Sequence, residues 1–231
     1  MDKVIKITAG IFIVILVAFT GIMTYTVYTE TAYRNTLTGT YTYTCNITTD
    51  SPLYNVTLFI PVPVDPAGNS PIMSAFSSHS VTGVPAGWDT TLFDTGKSTL
   101  VKVVTPAIIP PQGTSAQHPY TVTFSSETTL RTSIDTRNPV EKSAMFRPVQ
   151  AMSGKGAYTT SLYADYTTSS DAVVSITSAV TGKNTWKIFE SRSNEYHTEI
   201  NVVMKGENHG WVVPEGHLAS GIGTYDTPAG S

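Results

Sequence analysis

The chain of 231 residues carries 14 lysines and arginines against 17 aspartates and glutamates, a net charge of −3, and only 13% of its residues are charged. That mildly acidic balance argues against a nucleic-acid partner, which wants a basic patch or stripe, and the single cysteine, Cys45, excludes an internal disulfide, so the fold must stand on its core. Threonine is the commonest residue and tyrosine is abundant, a bias toward β-branched and aromatic side chains that favours pleated, half-buried strands.

Residues 7–28 read ITAGIFIVILVAFTGIMTYTVY, with no charge between Lys6 and Glu30. A helix needs about 20 apolar residues to cross a hydrocarbon layer roughly 30 Å thick, so this stretch predicts a transmembrane helix over 7–28. Lys3 and Lys6 precede it and Glu30 follows it. The positive-inside rule then makes residues 1–6 a cytoplasmic tail and puts the body outside the cell membrane, with Tyr25, Tyr28 and Tyr33 as an outer aromatic belt. A cleaved signal peptide is the competing reading, but its apolar region runs about 7–15 residues, and Ala18-Phe19-Thr20 makes a poor cleavage site. A retained anchor is expected, and either reading exports the body.

Residues 36–134 read as a first β-sandwich module. Over 37–47 (LTGTYTYTCNI) the alternation is strict: Leu37, Gly39, Tyr41, Tyr43, Cys45 and Ile47 share one face and the threonines with Asn46 the other. Residues 54–62 alternate again, with Tyr54, Val56, Leu58, Ile60 and Val62 in phase, and prolines at 61, 63 and 66 close the strand. The two strands read as a hairpin about the Ser51-Pro52 turn. Both carry an N-x-[ST] sequon on the polar phase, making Asn46 and Asn55 candidate glycosylation sites. Cys45 falls on the buried phase, the place of a small apolar thiol.

Residues 68–87 form a long loop containing His79, and strands follow at 88–93, 99–104 and 120–124, with a proline-rich crossover at 106–119 and a closing strand at 128–134. Gly96-Lys97-Ser98-Thr99 resembles the end of a phosphate loop, yet Thr91 stands where the motif needs glycine and a strand follows, so a hairpin turn is expected. Residues 135–156 hold the densest charge cluster, and Asn138-Pro139 there can open a helical turn; the segment reads as a solvated linker. Residues 157–216 predict strands at 158–166, 172–180, 185–191 and 196–205, with turns at 181–184 and 192–194. They form a second β module or complete the first. Residues 211–213 predict a short edge, and 217–231 a flexible tail.

Chemistry is sparsely marked. His209 and His217 lie near Glu207 and Glu215, a set able in principle to gather a divalent metal, but no HExxH or paired-cysteine spacing accompanies them. Neither a GxSxG elbow nor a marked pair of acids is present, and the aspartates sit mostly beside turns. No cofactor, metal or catalytic residue is expected, and the chain reads as a non-enzyme. The threonine- and tyrosine-rich faces offer surfaces for sugars or another subunit.

The run Asn55-Val-Thr-Leu-Phe-Ile-Pro-Val-Pro-Val64, with Ile109-Pro-Pro-Gln-Gly113 before the strand at Tyr120, resembles immunoglobulin-like modules of archaeal cell-surface proteins over 37–134. The resemblance implies surface exposure and adhesion or assembly, and it transfers no functional residue. The whole reads as an all-β protein: an N-terminal transmembrane helix carrying one or two antiparallel immunoglobulin-like modules. The partners expected are the bilayer, a protein or glycan at the cell surface, and copies of itself. A pilin-like filament subunit shares that plan, but Ala9-Gly10 lacks the basic-residue-Gly processing site and no acid sits early in the helix. An exported hydrolase or a sensor ectodomain is the third reading, the sensor disfavoured by a tail of six residues.

Overall fold

The computed structural model describes residues 2–78, 80–94, 99–150, 152–154 and 156–225. The chain opens with a single unbroken helix, α1 (Asp2–Thr36), of 35 residues. It passes almost directly into the first strand, with Leu37 alone between them and its N–H bonded to the carbonyl of Tyr33 at 2.8 Å. Thr8, Thr20 and Thr26 turn their hydroxyls back onto the carbonyls four residues earlier, at 2.8–3.0 Å. This geometry hides their polarity inside the helix and leaves an apolar exterior.

Two antiparallel sheets follow. The six-stranded sheet runs β5 (Tyr120–Leu130), β1 (Thr38–Thr49), β8 (Val173–Lys187), β9 (Ser191–Lys205), β11 (Glu215–Gly223), β6 (Ala157–Thr159). The five-stranded sheet runs β10 (Asn208–Val212), β7 (Leu162–Thr167), β2 (Leu53–Pro61), β4 (Thr99–Ile108), β3 (Asp89–Asp94). Tyr43, Cys45, Ile47, Val180 and Tyr196 of the first sheet and Leu58, Ile60, Val103 and Leu162 of the second belong to one buried cluster. In β1 every second residue from Gly39 to Thr49 is buried, the face that the alternation specifies.

Several expectations are corrected. β1 and β2 are not a hairpin: β1 pairs with β5 and β8, and β2 with β4 and β7, so the chain crosses between sheets at Asp50-Ser51-Pro52. The crossing is stitched locally, Thr49 Oγ1 donating to the Ser51 carbonyl at 2.7 Å and Asp50 Oδ1 accepting from Val173 N at 3.0 Å. Of the two readings of residues 157–216, the second module falls and completion of the first stands, because β8 lies beside β1 and β7 beside β2. Residues 120–130 are one strand where the sequence suggested a break, and 158–166 divides at Thr160-Ser161 between the two sheets.

The expected turns at 181–184 and 192–194 are absent: both stretches lie inside the long β8–β9 hairpin, whose tip is Ile188-Phe189-Glu190. Their turn-like residues serve packing. Gly182 faces Tyr196 across the ladder, and a Cβ there would run into the Tyr196 ring. Asn184 and Asn194, also cross-strand partners, are buried in a polar knot. The Asn184 amide bonds both backbone groups of Ile134 at 2.8 and 2.7 Å and donates to Asn194 Oδ1 at 2.8 Å, which also accepts from Thr136 Oγ1 at 2.8 Å. Valine is a better strand former than glycine, yet Gly182→Val is expected to lower stability by about 1–3 kcal/mol, because the added branch must displace the Tyr196 ring. A lower urea midpoint with an unchanged slope is the readout.

The segment 135–156 is not a solvated linker. Ala144, Met145 and Phe146 are in the core, and Met145 makes a reciprocal backbone pair with Val64 at 3.0 and 3.1 Å. Ala144 is held from two sides: its N–H donates to Tyr41 Oη at 3.4 Å and its carbonyl accepts the Tyr196 hydroxyl. After a short helix α2 (Met73–Ser77) in the loop before β3, the helical turn appears as α3 (Pro139–Lys142), with Pro139 in the first turn. Asn138 stands at the N-cap position without a side-chain capping bond, and Asp135 Oδ1 braces the approach, accepting from Asn138 N at 2.8 Å and Arg137 N at 3.1 Å. Those N–H bonds, with Lys142 nearby, hold the Asp135 carboxyl below the ordinary aspartate range.

The tail is likewise structured as far as it is described. Residues 217–223 belong to β11, Tyr225 Oη bonds Thr136 Oγ1 at 2.7 Å, and the Arg137 guanidinium lies 4.1 Å from the Tyr225 ring centroid. Residues 226–231 lie outside the described residues.

Candidate functional site

Two regions stand out, one where the helix meets the head and one on the outer face of the five-stranded sheet. The first is built by the last three turns of α1 and the tip of the β8–β9 hairpin. Tyr33 packs edge-on against Trp186, ring centroids 5.8 Å apart, and both residues are buried. Thr36 Oγ1 donates to the Lys187 carbonyl and accepts from the Lys187 N–H, each at 2.9 Å. This two-point clamp continues the ladder onto the helix end and pairs both backbone groups of Lys187, the last residue of β8. One turn earlier, Phe189 stacks on Tyr25 at 6.2 Å and lies 5.7 Å from the Tyr28 ring. From there toward the N-terminus nothing covers the helix: its most apolar 18 residues are entirely exposed. Among the described residues it is the one helix long and apolar enough to cross a membrane.

The second region is a row of aromatic side chains on the solvent face of the five-stranded sheet. Phe93, Phe59, Tyr163 and Trp211 follow one another edge to face, with centroids 5.2, 5.5 and 5.5 Å apart. Phe59, Tyr163 and Trp211 come from adjacent strands in cross-strand register, the geometry in which such pairs meet. Beside the row, Asp165 Oδ1 meets His209 Nδ1 at 2.7 Å, and Glu207 lies 3.8 Å from the other ring nitrogen. The Asp165 hydrogen bond, aided by the charges of Asp165 and Glu207, raises the His209 pKa above its ordinary value. Trp211 also borders a recess of about 590 Å³ under Pro61, Leu100 and Val149, at whose rim Arg147 donates to the carbonyls of Asp65 and Pro66 at 3.4 and 3.3 Å.

Because His209 is raised, the ion pair contributes fully below the ordinary histidine pKa and is lost as pH rises through the raised value. A His209 ring titration by NMR is expected to fall above the ordinary range, and Asp165→Asn is expected to bring it down. An identical midpoint in both proteins would show that the bond does not form.

The structure separates the two histidines that the sequence groups: His209 lies on β10, whereas His217 lies on β11 in the other sheet. His217 shares a recess of about 670 Å³ with Glu199 and Glu215. Among the described residues no three His, Cys, Asp or Glu side chains are grouped to hold a metal. His197 Nδ1 pairs with Thr181 Oγ1 at 3.1 Å, and His118 sits in the loop before β5. His79 and residues 96–98 of the phosphate-loop lookalike lie outside the described residues.

The two sequon asparagines differ. Asn46 is half-buried on a strand paired along both edges, its Oδ1 accepting from Thr123 Oγ1 at 2.8 Å. Asn55 is exposed at a bulge, with φ 53°. Cys45 is fully buried, and burial pushes its thiol up to about 12. A thiol so shielded and so little ionised at neutral pH is chemically quiet.

Sequence reasoning missed the aromatic row because it followed the inward phase of each strand. The signal was present in the outward phase of β2 and β7, where Phe59 and Tyr163 stand at positions that alternation gives to polar residues.

The fold and both regions thus define a two-sheet antiparallel head on an N-terminal apolar helix. No protein-family model, curated protein or solved structure matches the chain.

Proposed function

We propose that the chain is a single-pass membrane protein, N-terminus cytoplasmic, that presents an immunoglobulin-like β-sandwich outside the cell for a structural, adhesive or envelope-assembly role without catalysis. The observation that carries this reading is the unbroken α1: its apolar exterior is wholly exposed, and it runs into β1 without a spacer. A soluble domain would leave that surface in water. The clamp at Thr36 and Lys187 ties the helix end to the head, as suits a protein that holds a surface close above the membrane. The aromatic row is the face best suited to a protein or glycan partner, since flat rings take apolar contacts and neighbouring polar groups give direction.

The topology is tested by thiol labelling, which Cys45 leaves undisturbed. In intact cells a membrane-impermeant maleimide is expected to label Ser169→Cys, in the exposed loop before β8, and to reach Lys3→Cys only after permeabilisation. The reverse pattern would contradict the orientation. If glycans are attached, the mass increment is expected on the peptide carrying Asn55 and not on that carrying Asn46, whose amide is engaged across the sheet.

A pilin-like filament is the second reading, and one observation favours it. At 1.5 Å per residue the helix spans about 52 Å, well beyond the roughly 30 Å of a hydrocarbon core. The surplus is suited to packing against copies of itself.

A further inference from the structure

The tip of the β8–β9 hairpin carries two apolar side chains, Ile188 half-buried and Phe189 exposed. Phe189 is 65% exposed, and Lys187, Glu190, Ser191 and Arg192 surround it. Its position is not free, because the β8 arm that leads to the tip is tied to the helix at two successive residues. Trp186 packs on Tyr33, and Lys187 is bonded through both backbone groups to Thr36. The ring therefore rests against Tyr25 and Tyr28, at the level of the last residues of the uncharged run.

Depth follows from helix geometry. Tyr25 stands 18 residues beyond Ile7, about 27 Å along the axis, close to the thickness of a hydrocarbon core. If residues from Ile7 onward fill that core, Tyr25 and Tyr28 fall in the outer interfacial layer, where amphipathic aromatic rings accumulate. Phe189, at ring-contact distance from both, falls there too. Below the tip, an open groove of about 710 Å³ continues along Leu16, Val17, Gly21 and Tyr25, and its walls are almost wholly apolar. Lys187 is exposed on one side of the tip, and on the other Arg192 is ion-paired with Glu190 at 3.0 Å.

We propose that the β8–β9 tip is a second membrane contact: Phe189 inserts into the outer interfacial layer beside Tyr25 and Tyr28, so that the head stands on the bilayer at two points and cannot swivel about its helix. This inference rests on the membrane-span reading. The occupant is lipid rather than a second copy because the site is continuous with the apolar span and opens onto the same surface.

The test uses the full chain in vesicles of phosphatidylcholine and phosphatidylglycerol. Three single variants, Phe189→Cys, Phe19→Cys and Ser169→Cys, are labelled with an environment-sensitive nitrobenzoxadiazole dye. Quenchers are carried on lipids at shallow or deep positions of the acyl chain. Position 189 is expected to emit in the blue-shifted range and to lose most of its intensity to the shallow quencher. Position 19 should respond mainly to the deep quencher, and position 169 to neither. Water-like emission at 189 with quenching at 19 would overturn the inference while leaving the anchor standing. Absence of quenching at both would overturn the anchor and the inference together. Blue-shifted emission at 189 that no lipid quencher reaches would mean that another copy covers the tip, and would also overturn it. Because Phe189 is exposed, its replacement does not threaten the fold.

Discussion

Tyr196→Ala is expected to lower the stability of the head by about 3–5 kcal/mol, the cost of emptying a buried aromatic position. Tyr196 is fully buried in β9 and lies over Gly182 of β8, and its hydroxyl donates to the carbonyl of Ala144. Removing it opens a cavity between β8 and the 143–146 segment and leaves the Ala144 carbonyl without that donor. The second consequence separates the causes: Tyr196→Phe keeps the ring and loses only the hydrogen bond, a loss of about 1 kcal/mol. Guanidinium unfolding of the two variants checks both figures. Equal losses would mean that the ring does not pack as described. Burial raises the Tyr196 phenol far above the ordinary tyrosine range, so its charged form is excluded from the fold. Stability held by that neutral hydroxyl is present below the ordinary tyrosine pKa, and alkali that ionises tyrosines in the unfolded chain works against the fold.

The second large effect concerns the unity of the head. A chain ending at residue 156 and a chain beginning at 157 are each expected to remain unfolded. The first would keep β1 paired with β5 but lose β8 from its other edge, and would keep β2 paired with β4 but lose β7. The second would expose the inner faces of β8 and β9, whose Val180, Ile200 and Tyr196 share one core with residues of the first half. Collapsed amide dispersion from the head residues of both fragments, with coil-like circular dichroism from 157–231 and only the signal of α1 from the other, is the predicted result. A 157–231 fragment that melted in a cooperative step on its own would show two modules and contradict the interleaving. In the intact chain the same argument predicts one unfolding transition for the head, as a single core requires.

What the sequence makes legible is the part that depends on local alternation. The inward face of β1, from Gly39 to Ile47, follows from period two alone, and every position is buried as read. The helix follows from the missing charges between Lys6 and Glu30. What could not be read is which strand lies beside which. Two in-phase runs separated by Ser51-Pro52 look the same whether they pair with each other or cross between sheets, because the partners of β1 lie about 80 and 140 residues away and leave no local mark.

The long hairpin was hidden for a different reason. Gly182, Asn184 and Asn194 are turn formers by habit, but here glycine makes room for a tyrosine ring and the asparagines satisfy a buried stretch of backbone at Ile134. Tyr54 fails its phase because the bulge at Asn55 shifts the alternation, burying Leu53 and leaving Tyr54 48% exposed. The 135–156 segment reads as a linker because its charges lie in and beside α3, while the three residues that enter the core, Ala144 to Phe146, are too short a run to show a period.

Of the candidate regions, the helix was visible and the aromatic row was not. Its members come from β2, β3, β7 and β10, and only the fold brings them together. The clamp between Thr36 and Lys187 joins residues 151 positions apart, beyond the reach of any local pattern.

The most direct test of the membrane-anchored reading is the intact mass and N-terminal sequence of the protein isolated from its native envelope. The account predicts an N-terminus at Met1 or Asp2 on a protein that leaves the membrane only with detergent. A new N-terminus near Ile11, found in filaments of high molecular weight that need no detergent, would contradict it and establish the helix as a packing element between copies.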